Sequence, residues 1–69
     1  MFQQSQWLSR SGAAEYLDVS PDTVERRAIP WKPESVEGRI RWKFLKLGDD
    51  TRQERRYYVA DLESLLVVP

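Results

Sequence analysis

Apolar residues in the first third of the chain recur at helical spacing. Ala13, Ala14 and Leu17 line one side of segment 10–17 with Glu15 outside, which predicts a short amphipathic helix. Ser9 is suited to cap it, and Leu8 before the cap can staple onto Ala13. Gly12 weakens it locally, by up to about 1 kcal/mol relative to alanine. Three residues later a second start signal follows: Ser20 to cap, Pro21 where its missing N–H is harmless, and Asp22 against the positive helix end. Val19 can staple onto Val24. This second helix is expected over 21–28, because Pro30 pushes Ile29 out of the helical region. Two short helices joined by so tight a turn form a helix-turn-helix candidate.

Residues 29–38 read as an extended connection fixed by Pro30 and Pro33. From 39 the period becomes two. Arg39, Arg41 and Lys43 alternate with Ile40, Trp42 and Phe44, so one strand face is basic and the other apolar. The alternation slips at Leu45, where a bulge or bend is expected. Gly48-Asp49-Asp50-Thr51 is a turn signal, and 53–59 form the returning strand. Asp61 to Leu66 closes the chain as a short helix with Leu62, Leu65 and Leu66 on its apolar side. The expected core is Leu17, Val24, Ile40, Trp42, Phe44 and Leu62; Trp31 and Tyr58 are expected to join it, with stacking on bases as their alternative.

Composition narrows the function classes. With 69 residues, a chain buries only about 60% of its unfolded surface, which leaves no room for a second core or a deep multi-residue pocket. Hydrophobic residues at 41% and charged ones at 32% are a globular balance. Cysteine and histidine are absent, which removes disulfides, Cys/His zinc sites, thiol nucleophiles and imidazole bases. A non-enzyme with no cofactor and no metal is expected. The start shows no leader pattern and no apolar run approaches the roughly 20 residues of a membrane span, so a cytoplasmic protein without membrane contact is expected.

The charges cancel overall but not locally. Residues 1–25 carry one base against four acids, whereas 39–56 carry seven bases against three acids. A local basic surface on a neutral protein can still bind a polyanion, because charges within a Debye length of about 8 Å dominate. The competing reading is a solvated hairpin of mixed charge.

The element order and several short motifs carry a resemblance. Leu8-Ser9, then Ala13-Ala14-Glu15-Tyr16-Leu17-Asp18-Val19-Ser20, Thr23-Val24 and Arg26-Arg27, followed after a basic hairpin by Arg56-Tyr57 and Asp61-Leu62, resemble the excisionase-like branch of the MerR superfamily. The segments cover most of residues 8–66. The chain departs from that pattern in its longer connection at 29–38, its longer hairpin loop, and the acidic Asp22 and Glu25 in the second helix. The resemblance implies an α+β winged helix-turn-helix, with two short helices, a two-stranded antiparallel wing and a short C-terminal helix. Residues 1–6 would be a flexible tail and 7–69 a single domain. It further implies a sequence-specific double-stranded DNA-binding protein of a phage or mobile element, acting architecturally in DNA recombination beside a site-specific recombinase or integrase. A small regulator of transcription with the same fold is the alternative, and so is a protein-interaction adaptor that has lost DNA binding.

On the second helix, Arg26 and Arg27 fall on a largely outward side at about 100° per residue, and Thr23 beside them. Arginine can pair bidentately with guanine, and threonine can touch a base edge or a thymine methyl. Ser20 and the free backbone N–H groups of 20–23 could receive a phosphate. The competing reading is a solvated face with Arg26 paired to Asp22. On the wing and its flanks the candidates are Arg39, Arg41, Lys43, Arg52 and Arg55, placed to follow the backbone or enter the minor groove. Val67 and Val68 are either core beneath the hairpin or a contact with a neighbouring copy or a recombinase, which would give cooperative self-association on DNA.

Overall fold

A computed structural model of the chain describes residues 6–46 and 53–69. Residues 1–5, and with 47–52 the turn signal at Gly48–Thr51 and the candidate Arg52, lie outside the described residues. The elements run β1 (Trp7–Leu8), α1 (Arg10–Leu17), α2 (Pro21–Arg27), β2 (Ala28–Pro30), β3 (Ile40–Leu45), β4 (Glu54–Tyr58) and α3 (Val59–Ser64). The class is α+β, as expected. The two-stranded wing is not found: the strands form one mixed four-stranded sheet in the order β1-β4-β3-β2.

The helix ends follow their caps. Ser9 caps α1 by accepting from Gly12 N–H at 3.1 Å. Asp18 closes it in the left-handed region at φ 57°, a conformation aspartate tolerates, and its N–H reaches the Ala14 and Glu15 carbonyls. This sharp stop sets the corner between α1 and α2. Ser20 caps α2 with Pro21 at its first position. The chain leaves α2 one residue earlier than expected, because Ala28 is already extended at ψ 139°.

Two elements were not legible as strands. β1 pairs Trp7 with Tyr58 and Leu8 with Tyr57 antiparallel, and Gln6, expected in the tail, accepts from Val59 N–H at 2.9 Å. β2 pairs with β3 in parallel, through Ala28↔Ile40, Ile29↔Arg41 and Pro30↔Trp42. Parallel neighbours need a crossover. Segment 31–39 supplies it without a helix; its Trp31 packs with Trp7 and Tyr58, and its Lys32 and Pro33 carbonyls meet Arg41. Pro30 is tolerated because β2 is an edge strand. β3 and β4 pair without interruption from Trp42↔Tyr57 to Leu45↔Glu54, so the expected bulge at Leu45 is absent. Leu45 simply takes its turn on the opposite face.

The core is Ala13, Ala14, Val24, Ile40, Tyr57 and Leu62, with Leu8, Leu17, Ala28, Trp42 and Leu65 packed against it. Phe44, expected inside, is 50% exposed. Six residues of β3 span roughly 20 Å at about 3.4 Å each, whereas helices of seven or eight residues reach about 10–12 Å. The strand outruns the helices that would cover it. Trp31 and Tyr58 join Trp7 on the opposite face, with ring centroids 5.0–5.6 Å apart. They form a separate small cluster there.

Candidate nucleic-acid interface

The hydroxyls expected to read DNA on α2 are committed to the helix cap. Thr23 N–H donates to the Ser20 hydroxyl and carbonyl, and the two side-chain hydroxyls are 3.0 Å apart. Of the N–H groups expected to receive a phosphate at 20–23, that of Thr23 is thus engaged in the cap, and exposed Asp22 adds negative charge there.

Arg26 and Arg27 are exposed, and among the described residues neither has an ion-pair partner, so the expected Arg26–Asp22 alternative is not formed. A third arginine joins them. Arg39 Nη1 donates to the Arg26 carbonyl at 2.9 Å, a favourable place for a cation at a helix C-terminus. The Gly38 turn at φ 77° delivers Arg39 there, and the Arg27 guanidinium lies against the same turn. The guanidinium groups of Arg27 and Arg39, from segments distant in sequence, thus both reach the C-terminal end of α2, where Arg26 is exposed.

Two of the acids nearby are matched. Arg10 holds Glu25 across the α1–α2 corner at 2.5 Å, a hydrogen bond that raises the Arg10 pKa from its ordinary value. Glu54 is paired with Arg56 at 2.9 Å. Arg10, Glu25, Glu54, Arg55, Arg56 and Tyr57 border an open groove of about 400 Å³ between the α1–α2 corner and β4.

The remaining hairpin candidates do not share one basic face. Arg41 is a correction: its side chain is only 8% exposed and pairs with Asp61, 7% exposed. Its Nε and Nη2 donate to Asp61 Oδ2 and Oδ1 at 2.9 and 3.0 Å, and Nη1 donates to the Lys32 and Pro33 carbonyls at 3.1 Å. Its guanidinium also lies 4.6 Å from the Trp31 ring centroid. The hydrogen bond to Asp61 raises the Arg41 pKa, so the group keeps its charge and is fully occupied in fastening the crossover. Lys43 is exposed on that same face, 4.7 and 5.3 Å from the Trp31 and Trp7 rings. Arg55 is on the helix-facing side, 4.2 Å over Trp42.

Two features were missed in the sequence. Arg10 borders the groove because of the α1–α2 corner angle, which no local motif encodes. Phe44 is exposed because the strand outruns its cover, and the mismatch between strand and helix lengths could have shown it. The C-terminal alternatives are resolved in one respect: Val67 and Val68 are 87% and 92% exposed, so neither is core. Among the described residues, no group of three or more acidic side chains is placed to hold a metal, and no helix is long and apolar enough to cross a membrane. Compared with known proteins, the chain matches no family model, and no curated protein and no solved structure matches it.

Proposed function

We propose that this protein is a sequence-specific double-stranded DNA binder that works as an excisionase-like architectural factor, with α2 as the reading helix and the β3–β4 end of the sheet as a second contact. The observation that carries this reading is the exposed C-terminal end of α2, where Arg39 bonds the Arg26 carbonyl, the Arg27 guanidinium lies against the Gly38 turn, and the Arg26 side chain is exposed. Exposed arginines without carboxylate partners suit guanine edges and phosphates, and helices held at a tight corner can present α2 to a major groove. Use as a small transcription regulator needs the same surface, and binding alone does not separate the two roles. The test is a gel shift on duplex fragments at two salt concentrations, since phosphate contacts make affinity fall steeply with salt. Salt-sensitive retention with preference for some fragments is expected. Binding to none of them would favour the adaptor, the reading suggested by the neutral net charge and the exposed acids Glu15 and Asp22.

Neutralising Arg52 and Arg55 together should weaken binding to preferred and random duplexes by similar factors, and flatten the salt dependence by up to about two phosphate equivalents. Binding titrations across a salt series check this; a loss confined to the preferred duplex would mean that the hairpin reads bases.

The exposed tail suits contact with a neighbouring copy or a recombinase. Substituting Val67 and Val68 by serine should reduce cooperativity on DNA with repeated sites, while leaving single-site affinity and thermal stability within about 0.5 kcal/mol of the parent. A drop in thermal stability would count against a role in assembly.

A further inference from the structure

Phe44 has a setting that ordinary exposure of a hydrophobic residue does not require. It is on the helix-facing side of β3, beyond the reach of the helices, and is half exposed. Its ring packs edge-on against Trp42, with centroids 4.8 Å apart and planes at 71°. Its cross-strand partner is Arg55, whose guanidinium lies 4.2 Å over the same Trp42 ring. The ring is therefore braced from below, fixed on a hydrogen-bonded ladder, and accompanied by a cation. No unpaired acid stands beside it among the described residues, because Glu54 is taken by Arg56. Arg55 also borders the groove that Glu25 of α2 lines, so the hairpin and the reading helix address the same space.

We propose that Phe44 is a wedge that enters a base step of duplex DNA from the minor groove, with Arg55 beside it to hold a flanking phosphate. This inference rests on the DNA-binding reading and adds to it the way the duplex is deformed. Apolar wedges part-unstack a step and kink the duplex, most easily at pyrimidine–purine steps. An arginine beside the wedge is placed to bond a flanking phosphate oxygen, which fixes the register of the insertion. Trp42 is the brace: without it, the Phe44 side chain would fold back onto the sheet rather than stand out.

The test uses mixed-sequence duplexes with 2-aminopurine at TA and CA steps and a fluorescence-transfer pair on the ends, at low salt. Wild-type protein is expected to raise 2-aminopurine emission by about twofold or more at one step and to shorten the end-to-end distance. Phe44→Ala should lose both signals while still retaining the duplex in a gel shift, and Phe44→Leu, still apolar, should keep most of both. Each variant is melted first; Phe44 is exposed enough for its truncation to leave the fold intact. Binding by the wild type with unchanged emission and distance overturns the wedge but leaves DNA reading standing. So does a Phe44→Ala variant that keeps both signals, or one whose only defect is lost self-association in sedimentation. Failure of the wild type to bind any duplex overturns the DNA reading, and the wedge with it.

Discussion

Asp61→Ala is expected to lower the melting temperature by roughly 10–20 °C, the largest effect of any single substitution considered. The Asp61 carboxylate accepts from the Arg41 backbone N–H at 2.8 Å as well as from two of its guanidinium nitrogens. Removing it strands a charge that is almost wholly out of water and orphans a backbone donor. Three segments then loosen together: α3 loses its tie to β3, and crossover 31–39 loses the fixed guanidinium that holds the Lys32 and Pro33 carbonyls. Asp61→Asn keeps one acceptor and should fall between. Substituting Glu25 or Glu54 by alanine serves as the control, since each pairs at the surface, and a change within about 1 kcal/mol is expected there. The Arg41 pKa is raised, so its contribution is complete below the ordinary arginine value and is lost only as pH rises through the higher folded value. It adds no pH dependence near neutrality. Thermal melts followed by circular dichroism check the series. An Asp61→Ala melt close to that of the parent would show that the pair does not fasten the crossover.

Arg26→Ala and Arg27→Ala should each weaken specific DNA binding, with at least one costing about 1–3 kcal/mol and relaxing the choice of one base pair. Both side chains are exposed and, among the described residues, without an ion-pair partner, so stability should change little. Arg39→Ala should behave differently. Its guanidinium is already bound to the Arg26 carbonyl, so it is placed for phosphate rather than base contact. Its loss should reduce affinity about equally on preferred and random duplexes. Competition binding against single-base variants of a preferred site separates the two kinds of effect. Full affinity and unchanged site preference in both Arg26→Ala and Arg27→Ala would remove α2 as the reader.

The helices were legible because their signals are local. Ser9, Ser20 and Pro21 fix the starts of α1 and α2, and Pro30 forbids continuation, so the expected and observed bounds of these two differ by at most one residue. The last helix, expected over 61–66, instead runs Val59–Ser64 with no side-chain cap to mark its start, and takes Val59 from the expected strand. The strands were legible only where alternation ran long enough, as in β3 and β4. β1 is two residues and β2 is three, and their pairing depends on partners about fifty and twelve residues away, which no short pattern carries. Alternation along β3 gave the correct faces but not what covers them. It could not tell that crossover 31–39 would bring backbone carbonyls onto Arg41, turning an expected DNA contact into a buried fastening. Nor could it tell that Phe44 would outlast the helices. For the candidate site, outward placement of Arg26 and Arg27 followed from helical geometry. The arrival of Arg39 beside them needed the Gly38 turn, whose partner is known only once the chain is folded.

The most direct measurement of the central claim is selection of duplexes from a random-sequence library, followed by titration of the recovered and scrambled sequences at two salt concentrations. Recovery of a shared sequence is expected, bound at least about tenfold more tightly than its scrambled form at both salts, with affinity for either falling steeply as salt rises. No shared sequence, or equal affinity for the recovered and scrambled duplexes, would contradict the claim that this protein reads DNA.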